Sequence, residues 1–206
     1  HAFMLSMLGL VTAGNVMALF VFWELTTIFS YLLIGFEHEQ AASRKSARQA
    51  LLVTGAGGLA LLVGFLMLEI MSGTYEISRM VGLAPQLKAH PWYGGVLILL
   101  FAGAFTKSAQ FPFHFWLPHA MAAPTPISAF LHSATMVKGG IYLLARFHPI
   151  LGGTLPWSAT LIIFGAVTAV MGAVLAMGQS DLKKILAYTT VSALGIMTLF
   201  LGGAKT

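Results

Sequence analysis

Residues 1–36 form an apolar run with one charged side chain inside it, Glu24, and one short polar step at Ala13, Gly14 and Asn15. A transmembrane helix needs roughly 20 mostly apolar residues, so this run is too long for a single span. It divides at residues 13–15 into a partial span and a full one over 16–36. Further runs follow at about 47–71, from 93 into the segment 105–126, and at about 127–147, 158–177 and 182–201. The segment 73–92 reads as a connecting loop with room for a short amphipathic turn. The expectation is one partial and six substantial helices without strands: an all-α, polytopic transmembrane helix bundle.

Composition excludes the alternatives. Only 8% of residues are charged and 58% are hydrophobic, with a mean hydropathy of +0.86. Soluble domains carry about 25% charged residues, and so little charge could not cover a soluble globule of this length. The chain has no cysteine, which excludes disulfides and thiolate metal sites. Its net charge of +5 is scattered and partly inside apolar runs, so it is no nucleic-acid signature. The chain starts at His1 without a signal-peptide pattern and stops at "GGAKT" straight after an apolar run. It therefore reads as an internal piece of a longer multi-pass protein of the cell (inner) membrane. Arg44, Lys45, Arg48, Lys183 and Lys184 fall on one side of this layout, against Arg79, Lys88, Arg146 and Lys205 on the other. The positive-inside rule favours the first side as cytoplasmic.

Charges inside the runs point to function. A charged group at the centre of a span costs at least about 2.5 kcal/mol, and persists when it faces a bundle interior, a partner charge or water. Glu24, Lys107 and Lys138 lie mid-span, with His132 six residues before Lys138. Glu69 lies near a span end and can snorkel. One reading is a Glu–Lys pair that only locks helices together. Two lysines, a histidine and one acid cannot all be neutralised in isolated pairs, which favours changes of protonation and a proton or cation path. Burial disfavours the charged forms, and histidine titrates near neutrality. His132 and Lys138 lie about 240° apart around a helix, so a link between them runs through water past Thr135.

The stretch "FTKSAQFPFHFWLPHAMAAPTP" combines Lys107 with four prolines. Pro112 cannot donate to the helix ladder and its ring clashes with the carbonyl of Ser108, so the helix is predicted to break just after Lys107. Irregular backbone at membrane depth is tolerated where protein covers it or it lines a wet cavity, and broken helices form ion sites in transporters. A functionless proline kink is the alternative, and the lysine one turn before the break weighs against it. "APTP" reads as a rigid connector with Pro126 at the start of the next helix. His38, His90, His114, His119 and His148 fall in loops, beyond the break or near span ends. No HExxH-like spacing occurs, so no metal site and no cofactor are expected. "GAGG" at Gly55 to Gly58 suits close helix packing and lacks the lysine of a phosphate loop.

These residues carry a family pattern as well. "FVFWELTTIFSYLLIGF", "GAFTKSAQFPFHFWLPHAMAAPTPISAFLHSATMVKGGIYLLAR" and "SDLKKILAYTTVSALG" resemble the antiporter-like subunits shared by Mrp-type multisubunit Na⁺/H⁺ antiporters and the proton-pumping membrane subunits of complex I. The resemblance implies an inverted-repeat fold with a broken helix in each five-helix repeat. Residues 1–150 would be the end of helix four and helices five to eight of a first half-channel. Residues 151–206 would be the first two helices of a truncated second repeat. It further implies that Glu24 is the fifth-helix glutamate, Lys107 the lysine of the broken seventh helix and His132 with Lys138 the relay on helix eight. Lys183 resembles the lysine leading towards the second half-channel. "HSATMVKGGIYLLAR" is similar to the large, A-type component of Mrp complexes, whose complex I counterpart usually has Thr at the place of Lys138. His119 and Ala122 stand where the family usually has Asp or Asn and Glu. The function so implied is monovalent cation (Na⁺)/proton antiport alongside other subunits of a membrane complex, with no bond chemistry of its own. The rivals are a proton-pumping subunit of complex I or a membrane-bound hydrogenase, and a non-transporting membrane scaffold.

Overall fold

The structure, a computed structural model, describes residues 1–121, 123–129 and 135–204. Among these residues every regular element is a helix. The polar step at 13–15 does divide the first run, into α1 (Ala2–Thr12) and α2 (Val16–Ile34). Asn15 makes the division: its Oδ1 accepts from the amides of Met17 at 2.7 Å and Ala18 at 3.4 Å, satisfying donors that a helix start leaves orphaned. Residues beyond the next helix pin the step, since Val16 N donates to Tyr75 O and Ile77 N donates to Gly14 O, each at 3.0 Å.

Helix α3 (Ala41–Ser72) begins before the expected position of 47 and is 32 residues long. The segment "AASRKSAR" is rich in Ala, Arg and Lys, which favour helix, so the helix continues out of the apolar zone. At 1.5 Å per residue it reaches about 48 Å, beyond a hydrocarbon core of about 30 Å. Arg44, Lys45 and Arg48 are exposed on this overhang. It ends at Gly73, which adopts a left-handed conformation at φ 68° and donates to Glu69 O at 2.7 Å. The connection that follows holds two short helices, α4 (Ile77–Gly82) and α5 (Ala84–Ala89), rather than a loop with one turn.

Helix α6 (Tyr93–Lys107) stops at Lys107, as Pro112 predicts. A 3₁₀ turn at Phe113–Phe115, then α7 (Trp116–Ala120) and α8 (Thr125–Ser128), carry the chain to α9 (Lys138–Leu151). Of the helix expected over 127–147, residues 130–134 lie outside the described ones, and among the rest a turn at Met136 and Val137 precedes α9. Gly139 N donates to Met136 O in a tight turn, and Val137 O accepts from Ser108 Oγ at 2.6 Å, so α9 starts only at Lys138. The last two helices, α10 (Leu155–Met177) and α11 (Leu182–Gly203), are capped by Thr154 and Asp181, which accept from Trp157 N and Lys183 N. Tyr93 Oη bonds Leu151 O and Thr154 Oγ1, each at 2.6 Å, and ties the α9–α10 corner to the start of α6.

Four of these helices, α2, α3, α10 and α11, are long and apolar enough to cross a membrane, with α1 and α6 shorter. Of the six expected spans, the one from 93 falls short because its helix ends at Lys107, and the one over 127–147 lies partly outside the described residues. One apolar cluster joins Leu19, Trp23, Leu61, Phe65, Phe147 and Trp157. A second gathers Ile34, Ala109, Trp116, Met136 and Leu194 beyond the break, so Lys107 lies between the two. Large apolar side chains such as Leu52, Ile98 and Leu155 stay exposed, as on a surface that meets lipid or further helices. Helices α10 and α11 pack backbone to backbone, and Ser192 Oγ donates to Ala169 O across the pair at 2.8 Å. A Cβ on Gly195 would lie 2.8 Å from Gly165 O. Gly195→Leu is therefore expected to destabilise the protein by about 1–3 kcal/mol through overpacking, lowering its thermal-unfolding midpoint in detergent. The control Gly94→Ala, where a Cβ meets nothing within 4 Å, leaves the midpoint unchanged.

Candidate functional site

A helix that ends inside the bundle leaves its last carbonyls without helical partners. The residues after Lys107 supply replacements one by one. Ala104 O accepts from Ser108 N at 2.9 Å, and Phe105 O from Gln110 N at 2.9 Å. Thr106 O accepts from Trp116 Nε1 at 2.8 Å, which folds α7 back onto the helix end. Ser108 O takes Gln110 Nε2 at 3.3 Å. On the far side of the break, Phe111 N donates to Thr168 Oγ1 of α10 at 2.9 Å. Ala109 turns the chain in the left-handed region at φ 48°. Pro112 is thus the cause of the break, and its neighbours satisfy the backbone that it frees.

Lys107, the last residue of α6, is fully buried. Its Nζ donates to Trp23 O at 2.6 Å, Thr26 Oγ1 at 2.5 Å and Thr27 Oγ1 at 3.0 Å. An ammonium has three protons, and all three are accepted by neutral oxygens from one turn of α2. The Trp23 ring adds a cation–π contact, with Nζ 4.5 Å from its centroid. Glu24, the next residue on α2, is half-buried and close enough to interact electrostatically with Lys107. It makes no direct ion pair with it: among the described residues the only one joins Arg79 to Glu76 at 2.7 Å. The carboxylate instead lies against Gly58 of α3, where a Cβ would fall on Glu24 Oε1. That oxygen is shielded and has no hydrogen-bond partner among the described residues. A basic side chain from α6 and an acidic one from α2 thus meet at one turn of α2, each on its own seat.

The other residues singled out in the sequence are placed differently. Lys138 is the first residue of α9 and exposed, rather than buried in mid-helix. His132 lies outside the described residues, as does Ala122. Lys183 sits near the start of α11, half-buried, and its Nζ donates to Ala123 O at 3.1 Å, beside the "APTP" connector. His119 is exposed and bonds Gln49 through Nδ1 at 2.8 Å. The structure therefore brings Glu24 and Lys107 together, and holds Lys183 against the connector that follows the break. Sequence reasoning missed Thr26 and Thr27, and read Gly58 for close helix packing without its place against Glu24. Their signal was two hydroxyls within a turn of the only charge in an apolar run, and a glycine in "GAGG".

Comparison with known proteins places these features in a family. Residues 13–205 match the family described as NADH:quinone oxidoreductase/Mrp antiporter, TM. The chain is 54% identical over 200 residues to a probable K(+)/H(+) antiporter A/B subunit of Rhizobium meliloti (strain 1021), covering 97% of this chain and 20% of that protein. It superimposes on a chain of the Mrp complex from Dietzia sp. DQ12-45-1b with a TM-score of 0.92 at 46% identity, covering 98% of this chain and 22% of that one. A chain of the archaeal membrane-bound sulfane sulfur reductase, a respiratory membrane complex, gives a TM-score of 0.82 at 27% identity, with 98% and 42% covered. The chain thus spans about a fifth of the curated relative's length.

Trp116→Phe deletes the donor to Thr106 O and leaves a buried carbonyl unpaired. Local opening at the break is expected to become easier by about 1–3 kcal/mol. Hydrogen–deuterium exchange checks this: amides of residues 106–111 and of Phe113 exchange faster, while those of α10 and α11 are unchanged.

Proposed function

We propose that this chain, which belongs to the NADH:quinone oxidoreductase/Mrp antiporter transmembrane family, is part of the ion-translocating core of a multisubunit monovalent cation/proton antiporter. The observation that carries this reading is a fully buried Lys107 at the end of a broken helix, held on the turn of α2 that also carries Glu24. A proton on its route through the protein is exchanged between Lys107 and Glu24. It then passes along water and side chains towards His132 and Lys138, and from there to Lys183. The chain is a transporter subunit, without a nucleophile or bond chemistry of its own. Na⁺ is the ion implied by the family pattern, and the K⁺/H⁺ name of the Rhizobium relative makes K⁺ the ion to compare.

The same reading divides the chain into a first half-channel over residues 1–150 and the opening helices of a second repeat over 151–206. One feature supports the division: helices α10 and α11 pack closely on each other. The likeness to a respiratory complex at 27% identity keeps one rival reading, a proton-pumping subunit coupled to electron transfer. In that case proton movement follows substrate oxidation rather than an added cation gradient.

Inverted vesicles carrying the assembled complex test the proposal with a pH-sensitive dye and pulses of Na⁺ or K⁺. Glu24→Ala and Lys107→Ala are each expected to reduce cation-dependent proton movement by about tenfold or more, the order of effect when a positioned proton-transfer group is lost, at unchanged levels of assembled protein. Wild-type rates in both variants would sink the role given to these residues. Loss of assembly with normal transport per assembled complex would favour the scaffold reading.

A further inference from the structure

We infer that Thr26 and Thr27, with the Trp23 carbonyl, form a docking seat that holds the Lys107 amino group off Glu24 in both of its protonation states. The inference rests on the transport reading above and adds positioning residues to it. All three acceptors stand on a single turn of α2, and Nζ meets each of them at 2.5–3.0 Å. Thr26 Oγ1 also donates to Trp23 O at 2.7 Å, and Thr27 Oγ1 donates to the same carbonyl at 3.2 Å.

This geometry has a chemical consequence that a carboxylate could not supply. A hydroxyl both donates and accepts, whereas an ionised carboxylate only accepts. While Lys107 is an ammonium, both hydroxyls accept from Nζ and donate to Trp23 O. That carbonyl then has three side-chain donors besides the Thr27 amide of the helix ladder, all on two lone pairs, so one hydroxyl is readily released. Once Lys107 has given up a proton, the released hydroxyl turns and donates to the amine lone pair. The seat thus fits the lysine before and after proton transfer, and the proton lost is the only thing that leaves. Glu24 faces Gly58 meanwhile, so its carboxylate can take or give a proton without being locked into an ion pair. Among the described residues, Glu24 is the charged group whose field acts on Lys107.

Valine has the shape of threonine without the hydroxyl, so the double variant Thr26→Val/Thr27→Val tests the seat in inverted vesicles of the assembled complex. Cation-dependent proton movement is expected to fall about tenfold, the effect of losing on the order of one charge-assisted hydrogen bond. Its pH profile is expected to move towards acid, because the ammonium loses two acceptors. The double variant Thr26→Ser/Thr27→Ser restores both rate and profile. A purely structural role for the threonines would lower the amount of complex and leave the profile of the remainder in place, and that result overturns the inference. So does a wild-type rate and profile in the valine variant when Lys107→Ala is inactive, an outcome that leaves the transport reading standing. If Lys107→Ala is itself fully active, the reading and the inference fall together. Should the valine variant not assemble, the same pair is made with Lys107→Met. Recovery of assembly supports the seat, since the defect then came from an unsolvated ammonium, and continued failure overturns it.

Discussion

An ammonium buried in an apolar bundle must be solvated by something, and at Lys107 one turn of α2 does it. Moving such an ion out of water carries an effective penalty of several kcal/mol even after the protein relaxes. Charge-assisted hydrogen bonds contribute about 1.5–3 kcal/mol each, so three of them are of the right size to offset it. This fixes much else. It sets the register of α6 against α2, because Nζ must reach Trp23 O, Thr26 and Thr27 together. It also requires α3 to come close enough to shelter the site. That approach is made where Gly57 meets Thr106 and Gly58 meets Glu24, contacts that leave no room for a Cβ.

The break after Lys107 follows from the same requirement. A lysine in mid-helix would leave the next turn of α6 running on past the site, whereas a helix that ends at the lysine frees carbonyls and a reversing chain beside it. Free backbone groups at this depth need partners inside the protein, and the sequence after the break is rich in groups that provide them. Trp116 returns to Thr106 O, Gln110 to Ser108 O, and Ser108 Oγ reaches forward to Val137 O at the start of α9. Thr168 adds a partner from α10. The broken segment is therefore the point at which α6, α7, the start of α9 and α10 are joined by hydrogen bonds.

Much of this was legible in the chain. Asn15 announced a helix start through its capping chemistry, and Pro112 announced the end of α6 through its missing donor and its ring. Both are local effects, and local effects can be read from neighbouring residues. The early start of α3 was hidden because hydropathy marks where a helix enters apolar surroundings, not where its backbone begins. Residues 41–46 are good helix formers that hydropathy does not detect. The start of α9 at Lys138 was equally hidden, since one of its causes, Ser108 donating to Val137 O, joins residues 29 positions apart. Lys107 and Glu24 stood out because charge in an apolar run is costly. Thr26 and Thr27 did not, because a threonine in a membrane helix can satisfy its hydroxyl on its own backbone. Their role became visible only when α6 was seen to deliver Lys107 to them.

A tight ion pair between Glu24 and Lys107 would have been the simpler way to bury two charges. It would also tie the two groups to each other, since removing one partner of a buried pair leaves an uncompensated charge at a cost of about 3–5 kcal/mol. Hydroxyls and a carbonyl hold the lysine nearly as well, yet they carry no net charge to be stranded when the proton leaves. Glu24, seated against Gly58, stays within the field of the lysine without being bound to it. On the transport reading, the lack of a direct bond between the two among the described residues leaves each group free to change its protonation under the field of the other.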